Sequence, residues 1–505
     1  MSTNDVVVVK TFAFYGFNVH PVFVEVHISK GLPSFTIVGL GDKVINESRE
    51  RVKAAIASLG IFIPDKKVLV NLSPAGIIKE GSHFDLPIAC AMLCAMEVID
   101  KRQLESYAIL GELSLDGTIL GAPGILMAAM EANARNLGLI CSEKSGMESY
   151  WSGNKDILLA NNLLSIVNHF KGTQVIGYKT FDMIIEKPFY PDFSDVKCQS
   201  HVKRGLQIAA AGGHSVLMNG PPGTGKSMLA HRFCGIMSDM TTKEMLECTM
   251  IYSSADMLKD GQIKTHRPFR SPHHSSTIPA MIGGGSGNRV RPGEISLAHN
   301  GVLFLDELPE FNKAVIDSLR QPIEEKVIQI SRANFKVEYP ANFQLIAAMN
   351  PCKCGYVDDP SRSCSQAPRC ALTYQNKISA PMMDRFDIHL QVPVVDIWTT
   401  KVTDKSETSD ELRVGVDRAR KIQLERYKDL NITKNNEMTS SIIKDQIHLC
   451  SKTSNILNKY AEKNKISVRS YHNILKVAKT IADIDQEDTI NEIHISESIS
   501  YRKFD

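Results

Sequence analysis

The fold is decided by residues 220–227, which read Gly220-Pro221-Pro222-Gly223-Thr224-Gly225-Lys226-Ser227, between an apolar strand pattern and an amphipathic helix pattern. Glycines in such a loop let backbone N–H groups surround phosphates, and the start of the helix adds its positive dipole. Lys226 is the expected partner of the β and γ phosphates, and the Ser227 hydroxyl is an expected Mg²⁺ ligand. The whole loop therefore predicts an ATP site.

A second polar feature follows an apolar strand pattern at 301–305, which ends in Asp306 and Glu307. At the carboxyl edge of a parallel sheet, Asp306 would lie beside the phosphates and hold Mg²⁺ through water. Glu307 would orient and activate the attacking water. A solvated strand end is the alternative, and the phosphate loop upstream makes it the weaker one.

Two more residues belong to the predicted catalytic set. Asn350 ends a third apolar strand pattern, where its amide can position water or sense the γ-phosphate; a capping role is the alternative. Arg385 lies in a predicted short helix, and in a ring of subunits such an arginine reaches the neighbour's γ-phosphate. A surface salt bridge to Asp384 or Asp387 is the alternative for Arg385.

Length and composition limit the class of protein. The 505 residues suffice for about three to four domains, and a content of 43% hydrophobic residues excludes a disordered chain. The formal net charge of +2 means that any nucleic-acid surface must be local. The longest apolar stretch, residues 86–99, is short for a membrane span, and the N-terminus lacks a signal-peptide pattern. We expect a cytoplasmic protein without membrane contact.

The chain divides into four parts by pattern. Residues 1–175 alternate strand and helix patterns and predict an α+β domain, and residues 176–196 show no clear period and predict a linker. Residues 197–395 predict an α/β core, a parallel sheet with helices on both faces. Residues 396–505 are amphipathic and poor in proline and glycine, which favours a helical bundle.

Further motifs resemble those of a known family. The stretch Arg267-Pro268-Phe269-Arg270-Ser271-Pro272-His273-His274, residues 291–300 and Leu319-Arg320-Gln321-Pro322 resemble signatures of the Mg-chelatase-like AAA+ ATPases. That likeness covers about 190–395 and implies a P-loop AAA+ core. Over the full chain, including Ser467-Val468-Arg469, the sequence resembles the ComM/YifB family.

The resemblance implies a fold and a function. It implies a C-terminal helical lid in which Arg469 touches the nucleotide; a helix-surface position is the alternative for this residue. It also implies a hexameric ring that uses ATP and Mg²⁺ to remodel DNA, promoting branch migration in homologous recombination and natural transformation.

Two segments are candidates for DNA contact. Residues 266–291 contain Arg267 and Arg270, many glycines and no acids, so they could line a pore; a structural insertion is the alternative. Residues 325–338 predict a hairpin with Arg332 near its tip. The hairpin resembles the pre-sensor hairpin of the wider clade, which makes Arg332 and Lys336 candidates; an ordinary structural hairpin is the alternative.

A cysteine cluster follows Asn350. Cys352, Cys354, Cys364 and Cys370 supply four thiols within 19 residues. Four thiolates can close a tetrahedral Zn²⁺ site that holds a polar loop together. Structural zinc is the prediction, and free cysteines are the alternative.

Residues 1–175 resemble the proteolytic domain of Lon and its relatives, notably at 79–82 and 111–117. A Lon-type protease needs a serine nucleophile and a lysine. Alignment of the motifs places His83 at the nucleophile and Leu126 at or near the lysine, so no protease activity is expected. The resemblance implies a fold retained as a DNA-binding or ring-forming platform.

Together these inferences predict an ATP-driven, ring-shaped DNA motor of the helicase or branch-migration type, with single-stranded or branched DNA as its partner. Two alternatives stay open. A magnesium-chelatase-type motor subunit would require large partner subunits, and a nucleotide-switched protein-remodelling chaperone would respond to protein instead of DNA.

Overall fold

The computed structural model describes residues 6–77, 79–181, 189–258, 261–285, 290–332, 335–357, 362, 364–394 and 406–502. Within these ranges the chain forms two large sheets flanked by helices and a C-terminal group of helices. The predicted boundary near 395 lies outside the described residues, and the division into four parts stays a prediction.

The first sheet is mixed and has seven strands. In spatial order they are Ser34–Val38, Lys67–Ser73, Asn18–Ser29, Val7–Tyr15, Tyr107–Ile109, Gly138–Ser142 and Ile157–Ala160. Its helices are Asp42–Ala57, Asp85–Ala95, Lys101–Leu104, Ile125–Ala134, Gly146–Tyr150 and Leu163–Phe170, and Glu112–Leu113 pairs with Ile119–Leu120. The helix Asp85–Ala95 is buried over nearly its whole length, because it lies between the sheet and the helix Asp42–Ala57.

The second sheet has five parallel strands. Their spatial order is Phe269–Arg270, Val302–Leu305, Gln344–Met349, Val216–Asn219 and Ile388–Gln391. The three central strands are buried at every residue, as expected when helices cover both faces. The predicted parallel α/β sheet is therefore confirmed.

The elements around this sheet are short except for three helices. The helices are Ser200–Gly212, Lys226–Ile236, Thr242–Ser254, Ile278–Ile282, Glu294–Leu297, Lys313–Ser318, Arg320–Glu325, Arg369–Gln375 and Ala380–Met383. Two antiparallel pairs join them, Gly283–Gly284 with Arg291–Pro292 and Val327–Arg332 with Phe335–Pro340. The second pair is the predicted hairpin.

The C-terminal region is helical, as predicted. Its helices are Ser409–Arg426, Ser440–Gln446, Ser451–Asn464, Val468–Ile484 and Glu492–Ser500. The helix Ser409–Arg426 packs on Ser200–Gly212, which joins this region to the second sheet. In the described ranges, no helix has the length and apolarity required to cross a membrane.

One buried carboxylate, Asp483, joins the helix Val468–Ile484 to the helix Ser409–Arg426. It accepts hydrogen bonds from Arg426 Nη1 at 3.0 Å and Asn435 Nδ2 at 2.8 Å, and Lys479 Nζ lies 3.6 Å away. Asp483 is fully buried, and Lys479 is nearly so. Since a buried ion that loses its partner stays uncompensated, the packing of these two helices depends on Asp483.

We expect Asp483→Asn to destabilise the protein by about 3 kcal/mol, because Arg426 and Lys479 would lose their counter-charge. Urea unfolding followed by circular dichroism would measure the change. Asp445→Asn, on the exposed side of the helix Ser440–Gln446, is the matched control and should leave the curve in place. Equal curves for both variants would contradict the role of Asp483.

Candidate functional site

The candidate site lies where three buried strands end. Val216–Asn219 leads into the phosphate loop, Val302–Leu305 is followed by Asp306, and Gln344–Met349 is followed by Asn350. The strands are parallel neighbours, so their carboxyl ends meet at one edge of the sheet. Side chains separated by more than a hundred residues in the chain come together there.

The phosphate loop has the backbone that anion binding requires. Gly223 and Gly225 have φ values of 79° and 85°, which favour glycine, and a β-carbon there would meet open space. Gly220 is packed, since a β-carbon would lie 2.3 Å from the carbonyl oxygen of Val392. The helix Lys226–Ile236 begins within the motif, with Gly225 as its N-cap, so its free N–H groups face the same cradle.

Lys226 lies across the loop. Its Nζ donates to the carbonyl oxygens of Gly220 at 2.7 Å and Pro221 at 2.8 Å, and to Oδ1 of Asn350 at 3.2 Å. Burial lowers the pKa of Lys226, and the carboxylate of Asp306 opposes that effect. The contact with Asn350 joins two of the predicted residues, and a triphosphate would give this ammonium a charged partner in place of carbonyls.

The predicted Mg²⁺ ligands touch each other. The Ser227 hydroxyl donates to Oδ2 of Asp306 at 2.7 Å. A hydroxyl and a carboxylate are the hard oxygen ligands that Mg²⁺ prefers, and Mg²⁺ binds with few protein ligands plus phosphate oxygens. The donor set therefore fits Mg²⁺ bound with a nucleotide.

Glu307 has an unusual backbone. Its φ of 51° lies in the left-handed region, and its N–H donates to Oδ1 of Asp306 at 3.0 Å. Strain of this kind in a residue with a side chain concentrates at functional sites. Glu307 Oε2 lies 3.5 Å from Nδ1 of His274. Sequence reasoning missed this neighbour, although His274 follows the strand Phe269–Arg270 at the same edge of the sheet.

Arg385 and Arg469 meet at Glu324, a residue that sequence reasoning also missed. Arg385 Nη2 donates to Oε1 of Glu324 at 2.7 Å, and Arg469 Nη1 donates to the same oxygen at 2.6 Å. Arg385 also donates to the carbonyl oxygen of Pro381 at 2.6 Å. The alternative for Arg385, a salt bridge to Asp384 or Asp387, is therefore replaced by a different acid.

The thiols of Cys352, Cys354 and Cys370 lie within 4.8 Å of one another. The Gly355 N–H donates to Sγ of Cys352 at 3.2 Å, and the Cys364 thiol interacts with those of Cys354 and Cys370. Hydrogen bonds from the Cys352 thiol and from nearby backbone lower the pKa of Cys354. Zn²⁺ binds four thiolates in a tetrahedron, so the donor set fits zinc.

The thiol cluster also packs against the nucleotide site. Gly355 has φ 84°, and a β-carbon there would lie 2.4 Å from Cδ of Pro222. The turn that carries Cys352 and Cys354 therefore lies directly on the phosphate loop.

Arg267 and Arg270 are occupied by internal partners. Arg267 is buried and donates to the carbonyl oxygens of Ser238 and Asn300, each at 2.7 Å. Arg270 forms a two-point ion pair with Glu294 at 2.6 and 2.7 Å. These contacts favour the structural alternative for both arginines over DNA contact, because their donors already have acceptors.

The other two candidates for DNA contact belong to the hairpin. Lys336 is 56% exposed, with Glu338 at 3.7 Å. Arg332 ends the strand Val327–Arg332, but its side chain lies outside the described part of the chain.

The positions that correspond to a protease dyad hold residues other than serine and lysine. Leu126 is fully buried, and His83 lies in the core with Nε2 3.2 Å from the carbonyl oxygen of Phe12. Ser82, the residue next to the nucleophile position, donates to Glu112. No described contact joins Ser82 to a lysine, and the likeness of this region to Lon stays a prediction.

Comparison with protein families gives three consecutive matches. Residues 24–145 match the family described as subunit ChlI of Mg-chelatase, residues 192–399 match magnesium chelatase, subunit ChlI, and residues 406–502 match the C-terminal part of that subunit.

Individual proteins are similar over nearly the full length. The chain is 41% identical to YifB of Escherichia coli, over 99% of this chain and 97% of that protein. It is 40% identical to the competence protein ComM of Haemophilus influenzae, over 95% of this chain and 94% of that protein. A protein of Mycobacterium tuberculosis is 32% identical over 95% of both chains.

We expect Lys226→Ala to abolish nucleotide binding or hydrolysis, because the phosphates lose their cation. Glu307→Gln should still bind ATP but hydrolyse it about 100-fold more slowly or worse, since an amide cannot accept the proton of water. A fluorescent ATP analogue measures binding, and phosphate release measures turnover.

The matched control is Glu310→Gln, which removes a nearby carboxylate that contacts Lys377 and Tyr374. Normal ATP turnover in Glu307→Gln would contradict the catalytic role of Glu307.

Proposed function

Because the chain belongs to the ComM/YifB family of Mg-chelatase-like AAA+ ATPases, we propose that it is a ring-shaped motor that uses ATP hydrolysis to remodel DNA. The observation that carries the ATPase part is the assembly of Lys226, the Ser227–Asp306 pair and Asn350 at one sheet edge.

Each residue of the pocket has a role in this proposal. Lys226 binds the β and γ phosphates, and Ser227 and Asp306 hold the Mg²⁺ that neutralises them. Glu307 accepts the proton of the attacking water. Asn350, which bonds Lys226, positions that water and responds to the γ-phosphate.

Arg385 and Arg469 act together on the nucleotide of a neighbouring copy. Their described contacts are with Glu324 and with the Pro381 carbonyl, not with the phosphate loop of their own chain. Since both guanidinium groups donate to the same oxygen of Glu324, a phosphate that contacts one arginine also contacts the other. A planar guanidinium stabilises the charge of the transition state, so hydrolysis requires a ring, which we propose to be a hexamer.

The DNA part of the proposal rests on the similarity to the competence protein ComM. We propose that the ring acts in the cytoplasm on single-stranded or branched DNA, as a helicase or branch-migration motor in recombination and natural transformation. In this proposal the exposed Lys336 of the hairpin faces the DNA, and Arg332 stays a predicted contact. The first sheet and its helices serve as a platform for DNA or for ring formation.

A chelatase-type subunit is the second candidate, since the family matches are described by that enzyme. The two proposals differ in what stimulates the ATPase, DNA or a protein partner.

We expect a four-way DNA junction to stimulate ATP hydrolysis several-fold, and we expect the stimulation to fall as salt rises, because phosphate contacts release counterions. Turnover at stated salt, with Glu307→Gln as the blank, measures it. A sound basal rate without stimulation would contradict the DNA proposal and favour a protein or porphyrin client.

We also propose that Cys352, Cys354, Cys364 and Cys370 hold one structural Zn²⁺. Bonds from the sulfur atoms to zinc would replace the contacts among the thiols. The ion would thereby fix the turn with Cys352 and Cys354, which lies on the phosphate loop.

We expect the purified protein to contain about one zinc per chain, and the double substitution Cys354→Ser with Cys370→Ser to lose it. Elemental analysis by mass spectrometry measures the content. Cys450→Ser is the control, because this exposed cysteine lies far along the chain and serine is a good residue at its helix start. A zinc-free wild-type protein prepared without chelator would contradict the assignment.

A further inference from the structure

The short helix Arg320–Glu325 connects the two arginines to the hairpin. Glu324, near its end, is 45% exposed and accepts from Arg385 and Arg469 through the same oxygen. The helix ends at Glu325, Lys326 caps it, and the hairpin strand begins at Val327. Only Glu325 and Lys326 therefore separate the arginine contact at Glu324 from the base of the hairpin.

The charges around Glu324 do not balance. Two guanidinium groups share one carboxylate, and Arg320 adds a third positive charge nearby. The arginines hold the pKa of Glu324 below its usual value, so Glu324 is ionised. The positive charge around Glu324 exceeds its single negative charge. An anion with more charge and more oxygens, such as the terminal phosphate of a nucleotide, is therefore favoured to replace Glu324 as the partner of the arginines.

Lys326 holds the base of the hairpin on two sides. Its carbonyl oxygen accepts from the Ala341 N–H at 2.7 Å, which closes the two strands. Its ammonium pairs with Glu437 of the C-terminal region. Arg469 belongs to the same C-terminal region, in the helix Val468–Ile484. A shift of the helix Arg320–Glu325 therefore changes contacts that fix where the hairpin stands.

We propose that Glu324 is a positioning residue that holds Arg385 and Arg469 as a pair until a phosphate of the neighbouring copy replaces it, and that this exchange moves the hairpin Val327–Pro340. The inference rests on the proposed ring, in which the arginines meet the neighbour's nucleotide. It adds a mechanical link between the nucleotide of one copy and the DNA-facing hairpin of the next.

Hydrogen–deuterium exchange tests the link without DNA. Each variant carries Glu307→Gln, so that ATP is bound and not consumed, and exchange of peptides from 327–340 is compared with and without ATP. Glu324→Gln is the test variant and Glu324→Asp is the conservative rescue. Glu325→Gln is the matched control, because the adjacent glutamate contacts Gln321 and neither arginine.

ATP should change exchange in the hairpin of the parent protein and of the Glu325→Gln control. In Glu324→Gln at least half of that change should already be present without ATP, with ATP affinity within about twofold of the parent. Glu324→Asp should restore part of the difference. A full ATP-dependent change in Glu324→Gln, or none in the parent, would overturn the inference. Failure of junction DNA to stimulate the ATPase would not, so the two proposals fail separately.

Discussion

The nucleotide site depends on the register of three buried parallel strands, which places their carboxyl ends side by side. Inside the strands Val216–Asn219, Val302–Leu305 and Gln344–Met349, side chains pack between helices and leave almost no room for charge. Polar groups can emerge only where the strands end. The register therefore brings the phosphate loop, two carboxylates and an amide to one edge, and a slip of one strand would separate Lys226 from Asn350 or Ser227 from Asp306.

This constraint also explains what the sequence could predict. A phosphate loop, a strand that ends in Asp306 and Glu307, and a strand that ends in Asn350 are local patterns, and parallel pairing is enough to place them together. The parallel sheet and the C-terminal helices follow from periodicity in the same way. The mixed order of the first sheet does not, because period 2 shows which residues share a face but not which strands are neighbours.

Local sequence patterns do not predict contacts between distant segments of the chain. The segment around Arg267 and Arg270 contains no acid before residue 294, which suggested free basic side chains. In the fold, Arg267 finds the carbonyl oxygens of Ser238 and Asn300, and Arg270 finds Glu294. The role of Glu324 could not be predicted either. A glutamate on a short helix has the sequence pattern of any solvated surface residue, and its partners Arg385 and Arg469 lie far away in the chain.

The closeness of Gly355 to Pro222 links two segments that the chain keeps more than a hundred residues apart. No other residue type has both the left-handed backbone freedom and the missing β-carbon that this approach requires. The cysteine turn and the phosphate loop are therefore not free to vary one at a time. In a library of variants, the residue types tolerated at Gly355 should therefore depend on the residue at position 222, and the reverse.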